Sequence, residues 1–201
     1  ATVPGCVHTD LLAAGLIPDP YLDDNEAQLG WIGRSGWVYE TEFDWASGGE
    51  PQVDLVCAGL DTVATLTLNG VELGQTANMH RSYAFVVRHL LREGVNHLRV
   101  RFESAYAYAE QLEQRLGPRP NAYPQPFNFI RKMACNFGWD WGPNLVTAGI
   151  WRPIGLLGWR DARFRSVRPL TTTDAVTVYI DLLRAPAGGG GAGGGGAGGG
   201  G

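Results

Sequence analysis

From residue 37 to 45 the chain alternates. Trp37, Tyr39, Phe43 and Trp45 stand at odd positions, and the even positions are mostly polar. A period of two puts the two sets on opposite faces of a pleated strand, so this segment predicts a half-buried strand. Residues 54–57 form a short apolar strand. Residues 62–68 meet 71–73 across Asn69-Gly70, a strong hairpin signal because both turn positions tolerate positive φ. Further strands are predicted at 83–87 and 95–102, with a polar turn at Glu93-Gly94, and at 149–157 and 174–183. Many short strands separated by turn residues favour an antiparallel β-sandwich over alternating strands and helices.

Two helices interrupt this pattern. Thr9 caps a short turn through Leu12 and Ala13 that Gly15 and Pro18 end. Ser104 caps a longer helix at Ala105–Leu116, with a clear stop at Gly117-Pro118. The stretch 118–129 is rich in Pro, Asn and aromatic residues. An irregular run of that length is usually functional or anchored to another domain. Phe127 and Phe129 are candidates for such docking. Residues 188–201 are Gly throughout except Ala192 and Ala197. Nothing there can pack, so the segment reads as a tail or linker.

Composition narrows the function classes. The 201 residues suffice for one main domain with a substantial core. The net charge of -4 is mild and the arginines are scattered, which argues against a nucleic-acid partner. No apolar run reaches membrane-spanning length, so no membrane partner is expected. Cys6, Cys57 and Cys135 are widely spaced, without a Cys-x-x-Cys. They read as reduced thiols of a cytoplasmic protein, or as one disulfide and a free thiol. The four histidines lack metal-ligand spacing, and neither metal nor cofactor is expected.

The chemistry concentrates in Ala134-Cys135-Asn136-Phe137-Gly138-Trp139-Asp140-Trp141-Gly142-Pro143. Its glycines and proline predict a loop, and a loop lies at the surface. A carboxylate between two indoles suits a sugar ring, which presents apolar C–H patches and polar hydroxyls. The same spacing also fits a core tryptophan pair with Asp140 capping a turn. Trp31, Trp37, Trp45, Trp151 and Trp159 read as core or interdomain packing.

Several segments together resemble glycoside hydrolase family 2 β-mannosidases. They are Thr2-Val3-Pro4-Gly5-Cys6-Val7-His8-Thr9-Asp10-Leu11-Leu12, Gly59-Leu60-Asp61-Thr62, Leu68-Asn69-Gly70, Asn78-Met79-His80-Arg81, Ile130-Arg131-Lys132-Met133 running into the Trp-Asp-Trp loop, and Thr147-Ala148-Gly149-Ile150-Trp151-Arg152-Pro153. The resemblance covers about residues 2–183 and implies an all-β, jelly-roll, galactose-binding-like sandwich with one or two short helices. It implies a sugar-binding domain at 1–168 whose opening strand would precede Ala1, and the start of an immunoglobulin-like domain at 169–187. The implied partners are a β-mannoside or mannose-containing oligosaccharide and a catalytic (β/α)8 barrel of the same polypeptide. In that family both catalytic glutamates lie on the barrel, so no catalytic residue is expected here. Asn25-Glu26 mimics a barrel dipeptide but lies near the start of the chain and reads as a solvated or structural loop. By resemblance, Asp140 accepts from sugar hydroxyls and Trp139 walls the pocket. Trp141 lines it too or, as neighbouring indoles seldom face one ligand, anchors the loop in the core. Asn136 would cross-link the loop, and Arg131 would pair with a barrel carboxylate. Related readings are another exo-glycosidase of the family (β-glucosaminidase, β-galactosidase, β-glucuronidase) or a non-catalytic carbohydrate-binding module.

Overall fold

The alternation over 37–45 folds as β1 (Trp37–Trp45), with its four aromatic side chains half-buried and the even positions exposed. The computed structural model describes residues 1–186; the Gly/Ala segment expected at 188–201 lies outside them. In chain order come β2 (Gln52–Cys57), β3 (Val63–Leu68), β4 (Val71–Ala77), β5 (Tyr83–Val86), β6 (Gly94–Phe102) and β7 (Ile154–Trp159). They form a four-stranded sheet, β1-β6-β3-β4, and a three-stranded sheet, β5-β2-β7. The pairs β1–β6, β6–β3, β3–β4 and β2–β5 are all antiparallel. This is the all-β antiparallel sandwich expected from the strand pattern.

Asn69 (φ 50°) and Gly70 (φ 84°) make the β3–β4 turn. Positive φ at both positions gives the turn a twist that matches its strands. The Asn69 amide donates to Leu90 O (2.9 Å) and Asn96 Oδ1 (2.8 Å), and its oxygen accepts from the His97 N–H (2.9 Å). The turn is thus tied to the start of β6.

Inward residues of both sheets, among them Leu55 and Cys57 of β2, Leu66 of β3, and Val100 and Phe102 of β6, build the main core. Burial in that core pushes the Cys57 thiol pKa up to about 12. All three cysteines are free thiols. A second cluster lies under α4 (Ala105–Leu116): Ala105, Tyr106 and Ala109 pack with Val63, Phe129, Ile130, Phe137 and Val146. The Ser104 hydroxyl caps α4 by accepting from the Ala107 N–H at 3.1 Å. Phe129 is therefore core and not free to dock elsewhere, while Phe127 is partly buried against the same cluster.

The first helix, α1 (Val7–Ala13), begins earlier than expected, with Cys6 at its N-cap. Thr9 sits inside its first turn, where its hydroxyl accepts from the Cys6 N–H and donates to the Cys6 carbonyl. Two four-residue helices, α2 (Asn25–Gln28) and α3 (Trp31–Arg34), add to the two that the sequence predicts; each is too short to leave a periodic signature. The tryptophans outside the loop sit at the margins of packing. Trp37 and Trp45 lie against the main core, whereas Trp31 is about half exposed.

The chain divides into two compact units after Gly158. In the second, β8 (Ala162–Thr171) and β9 (Val176–Arg184) pair as an antiparallel hairpin. The division expected after residue 168 falls inside β8.

Candidate functional site

The Trp-Asp-Trp loop is built on the second cluster. Its leading stem runs along the end of β4, where Asn78 bridges to Arg131 and the Met79 N–H donates to Arg131 O at 3.0 Å. A 3-10 turn, Ala134–Phe137, then drives Phe137 into the cluster, where it is 2% exposed and meets Tyr106 edge-on at 5.2 Å. Gly138, at φ 93°, reverses the chain as other residues rarely can. Trp139 and Gly142 bond to each other through both N–H groups, at 3.0 and 3.3 Å, leaving Asp140 and Trp141 alone at the tip.

The trailing stem is equally fixed. The Glu26 carboxylate of α2 accepts from the Asn144 N–H at 2.6 Å, and the Asn144 amide lies 3.1–3.2 Å from the Tyr106 hydroxyl. Glu26 thus has the structural role that its place in the chain implied.

At the tip, Trp139 is 40% and Trp141 73% exposed. Their rings are 6.2 Å apart and tilted by 39°, and Tyr123 from the 118–129 stretch lies 5.4 Å from Trp139. Asp140 is exposed beside them, and its carboxylate has no partner among the described residues. The core reading of the tryptophan pair therefore fails, and so does the anchoring role for Trp141. The turn carries both indoles away from the cluster, and Phe137 is the anchor instead.

Trp141 and Asn136 border a cleft of about 280 Å³ between the loop and α1, shared with His8, Leu12, Tyr21 and Met133. Asn136 Oδ1 is buried without a partner, so the expected cross-link does not form through that atom. His8 Nδ1, in the opposite wall, is likewise buried and unpartnered. Arg131 is not part of this group. It is exposed and borders a separate hollow with Leu112, Leu116 and Arg119.

Beneath the loop lies a cluster that the sequence reading missed. Lys132 Nζ is buried against the Asp61 carboxylate, with side-chain exposures of 0% and 2%. The Thr147 hydroxyl donates to Asp61 Oδ2 at 2.6 Å and lies 3.0 Å from Lys132 Nζ, and the Thr62 hydroxyl closes on Asp61 Oδ1. Burial pulls the Lys132 pKa below the usual lysine value, and the facing carboxylate opposes that pull. Burial and then the Lys132 charge lower the His8 pKa to about 4, with Asp61 acting in the opposite sense. The available signal was Asp61 itself, a charge set between Leu60 and Val63 at the head of an apolar strand.

A two-sheet antiparallel sandwich that displays an aromatic, acid-bearing loop has the architecture expected of a galactose-binding-like domain. The chain belongs to the family described as glycosyl hydrolase 2 galactose-binding domain-like, whose model matches residues 1–152. The β-mannosidase of Bos taurus is 42% identical over 165 residues, 77% of this chain and 19% of that protein. β-Mannosidase B of Thermothelomyces thermophilus is 36% identical over 162 residues, 76% of this chain and 18% of its own. Among solved structures, the β-D-mannosidase from Dictyoglomus thermophilum superposes with a TM-score of 0.81 at 36% identity, covering 92% of this chain and 24% of that one. The chain thus spans about a fifth of the length of the curated relatives it matches.

Proposed function

We propose that this chain is the N-terminal domain of an exo-acting β-mannosidase that removes terminal non-reducing β-D-mannose residues. In this reading the 139–142 turn forms one wall of the substrate pocket, and a (β/α)8 barrel of the same polypeptide supplies the catalytic pair. Retaining hydrolysis needs two carboxyl groups about 5–5.5 Å apart, one as nucleophile and one as acid/base. Here the role of the chain is recognition. Asp140 accepts from sugar hydroxyls, Trp139 offers its face to the C–H side of the ring, and Trp141 lies at the pocket rim. The hairpin from residue 159 onward opens the immunoglobulin-like domain that follows.

The observation that carries this reading is the contrast within the loop. Its stems are bonded and its anchor is buried, while its two indoles are presented to solvent and its carboxylate has no partner among the described residues. Exposed tryptophan costs solvation free energy, and an acid held between two such rings matches an amphipathic ligand better than water alone. The apolar side chains around the adjoining cleft, Leu12, Tyr21, Met133 and Trp141, are all at least 40% exposed. A patch of that kind supports burial against a further domain.

The test is Asp140→Ala in the complete enzyme. A charge-assisted hydrogen bond in a closed pocket predicts a fall in kcat/KM for an aryl β-mannoside of about 10²-fold or more. The thermal midpoint should stay unchanged, because nothing in this domain leans on the carboxylate. A variant that keeps its kcat/KM within about twofold would remove Asp140 from the pocket.

A further inference from the structure

We propose that Asp61 is a positioning residue for substrate binding: through Lys132 and Thr147 it holds both stems of the 133–146 loop and thereby fixes where Trp139 and Asp140 stand. The proposal rests on the reading of that loop as a pocket wall.

Lys132 and Thr147 are 15 positions apart, one on each side of the loop. A single carboxylate takes both. Oδ1 accepts from Lys132 Nζ at 2.5 Å, and Oδ2 receives Nζ and the Thr147 hydroxyl together. Because Nζ also lies 3.0 Å from Thr147 Oγ1, the three groups close a triangle in which neither stem can shift without breaking two contacts. The backbone repeats the arrangement. Asp61 N–H donates to Gly149 O at 2.9 Å and Gly149 N–H returns to Asp61 O at 3.0 Å, just beyond the trailing stem. On the leading side, Met133 N–H points at Met79 Sδ at 3.1 Å.

Stability alone does not account for this cluster. A buried ion pair is a poor stabiliser, since apolar residues of similar volume commonly do as well or better. Apolar packing is also available here, as the cluster around Phe137 demonstrates on the other side of the loop. A charged, hydrogen-bonded cluster supplies direction, because it is satisfied in one arrangement and penalised in others. The distance between two stems fixes the geometry of the tip they carry. Misplacement of a binding group by about 1 Å can cost on the order of 10²-fold in rate.

Thr147→Val in the complete enzyme removes one hydroxyl and leaves the ion pair and the volume in place. Two results are expected. The kcat/KM for an aryl β-mannoside falls at least about tenfold, chiefly through KM, with the thermal midpoint within about 3 °C of wild type. Backbone amide exchange over residues 133–147 rises at least about tenfold while the strands keep their protection. Thr147→Ser, which restores the hydroxyl, should recover both to within about threefold. Asp61→Asn serves as the harsher variant; should it fail to fold, the Thr147 pair decides alone. Unchanged kcat/KM and exchange in Thr147→Val, or losses that Thr147→Ser does not reverse, overturn the proposal. If the wild-type enzyme hydrolyses no β-mannoside, the pocket-wall reading falls. The exchange measurement then decides the clamp by itself: faster exchange confined to 133–147 upholds it and unchanged exchange ends it.

Discussion

At the scale of single residues, the most consequential placement is that of His8. It is buried in α1 beside the Lys132–Asp61 pair, and its pKa is lowered from 6.5 to about 4. The unfolded chain still binds a proton near pH 6.5. Between pH 6.5 and about 4 the unfolded state therefore gains protons that the folded state refuses. The stability present above pH 6.5 is lost as the pH falls through this window, by on the order of 2 kcal/mol. Urea unfolding at pH 7 and pH 4.5 should show this fall in the wild type and a shallower one in His8→Gln. Equal falls would clear His8 of the effect. Residues of this kind are the least legible in a sequence. Lys132 follows Arg131 in a basic pair of the kind that usually faces solvent, and its partner is 71 positions away. Local pattern reports which face a residue takes, not which distant group it meets. Trp141 is open to two readings in the sequence for a related reason: residue types predict a turn, but only its 73% exposure shows that the ring points outward.

At the scale of elements, local signals sufficed wherever they were strong. The β1 alternation, the Asn69-Gly70 turn and α4 with its Ser104 cap and Gly117 stop all fold as the sequence indicates. The strand expected over 149–157 begins only at Ile154. Before it, Gly149 makes an isolated bridge to Asp61, and Pro153 has no N–H to offer a ladder. β8 leaves no clear strand signal in the sequence because Arg163, Arg165, Arg168 and Pro169 interrupt its apolar rhythm. In the proposed function the loop is the decisive element, and Phe137 is its buried root. Phe137→Ala should cost about 3–5 kcal/mol, from lost burial and the cavity left behind. Denaturant unfolding checks this, and a cost below about 1 kcal/mol would show that the stems hold the loop without the anchor.

At the scale of the whole molecule, the fold was the more legible half of the problem and the site the less. A sandwich follows from short strands and turns, whereas a pocket wall has meaning only against the opposite wall. The chain accounts for about a fifth of the relatives it matches, and the proposed function places the catalytic carboxylates outside residues 1–201. Purified alone, it should not turn over an aryl β-mannoside; a rate in the ordinary enzymatic range of about 1–10³ s⁻¹ would contradict that division of labour.

The Asn69-Gly70 turn also bears on how this protein ages. In a loose chain, an asparagine before glycine is where the backbone attacks its own side chain most readily. The glycine nitrogen closes on the carboxamide carbon, ammonia departs, and the resulting succinimide opens to aspartate or isoaspartate. Here both ends of that carboxamide are occupied, its nitrogen by Leu90 and Asn96 and its oxygen by His97. The carbon cannot swing onto Gly70 while the fold is closed. Deamidation at this site should therefore run faster in the open chain than in the folded one. Isoaspartate at residue 69, read by peptide mapping, should rise with the time a sample has spent unfolded; equal rates in folded and denatured samples would contradict this.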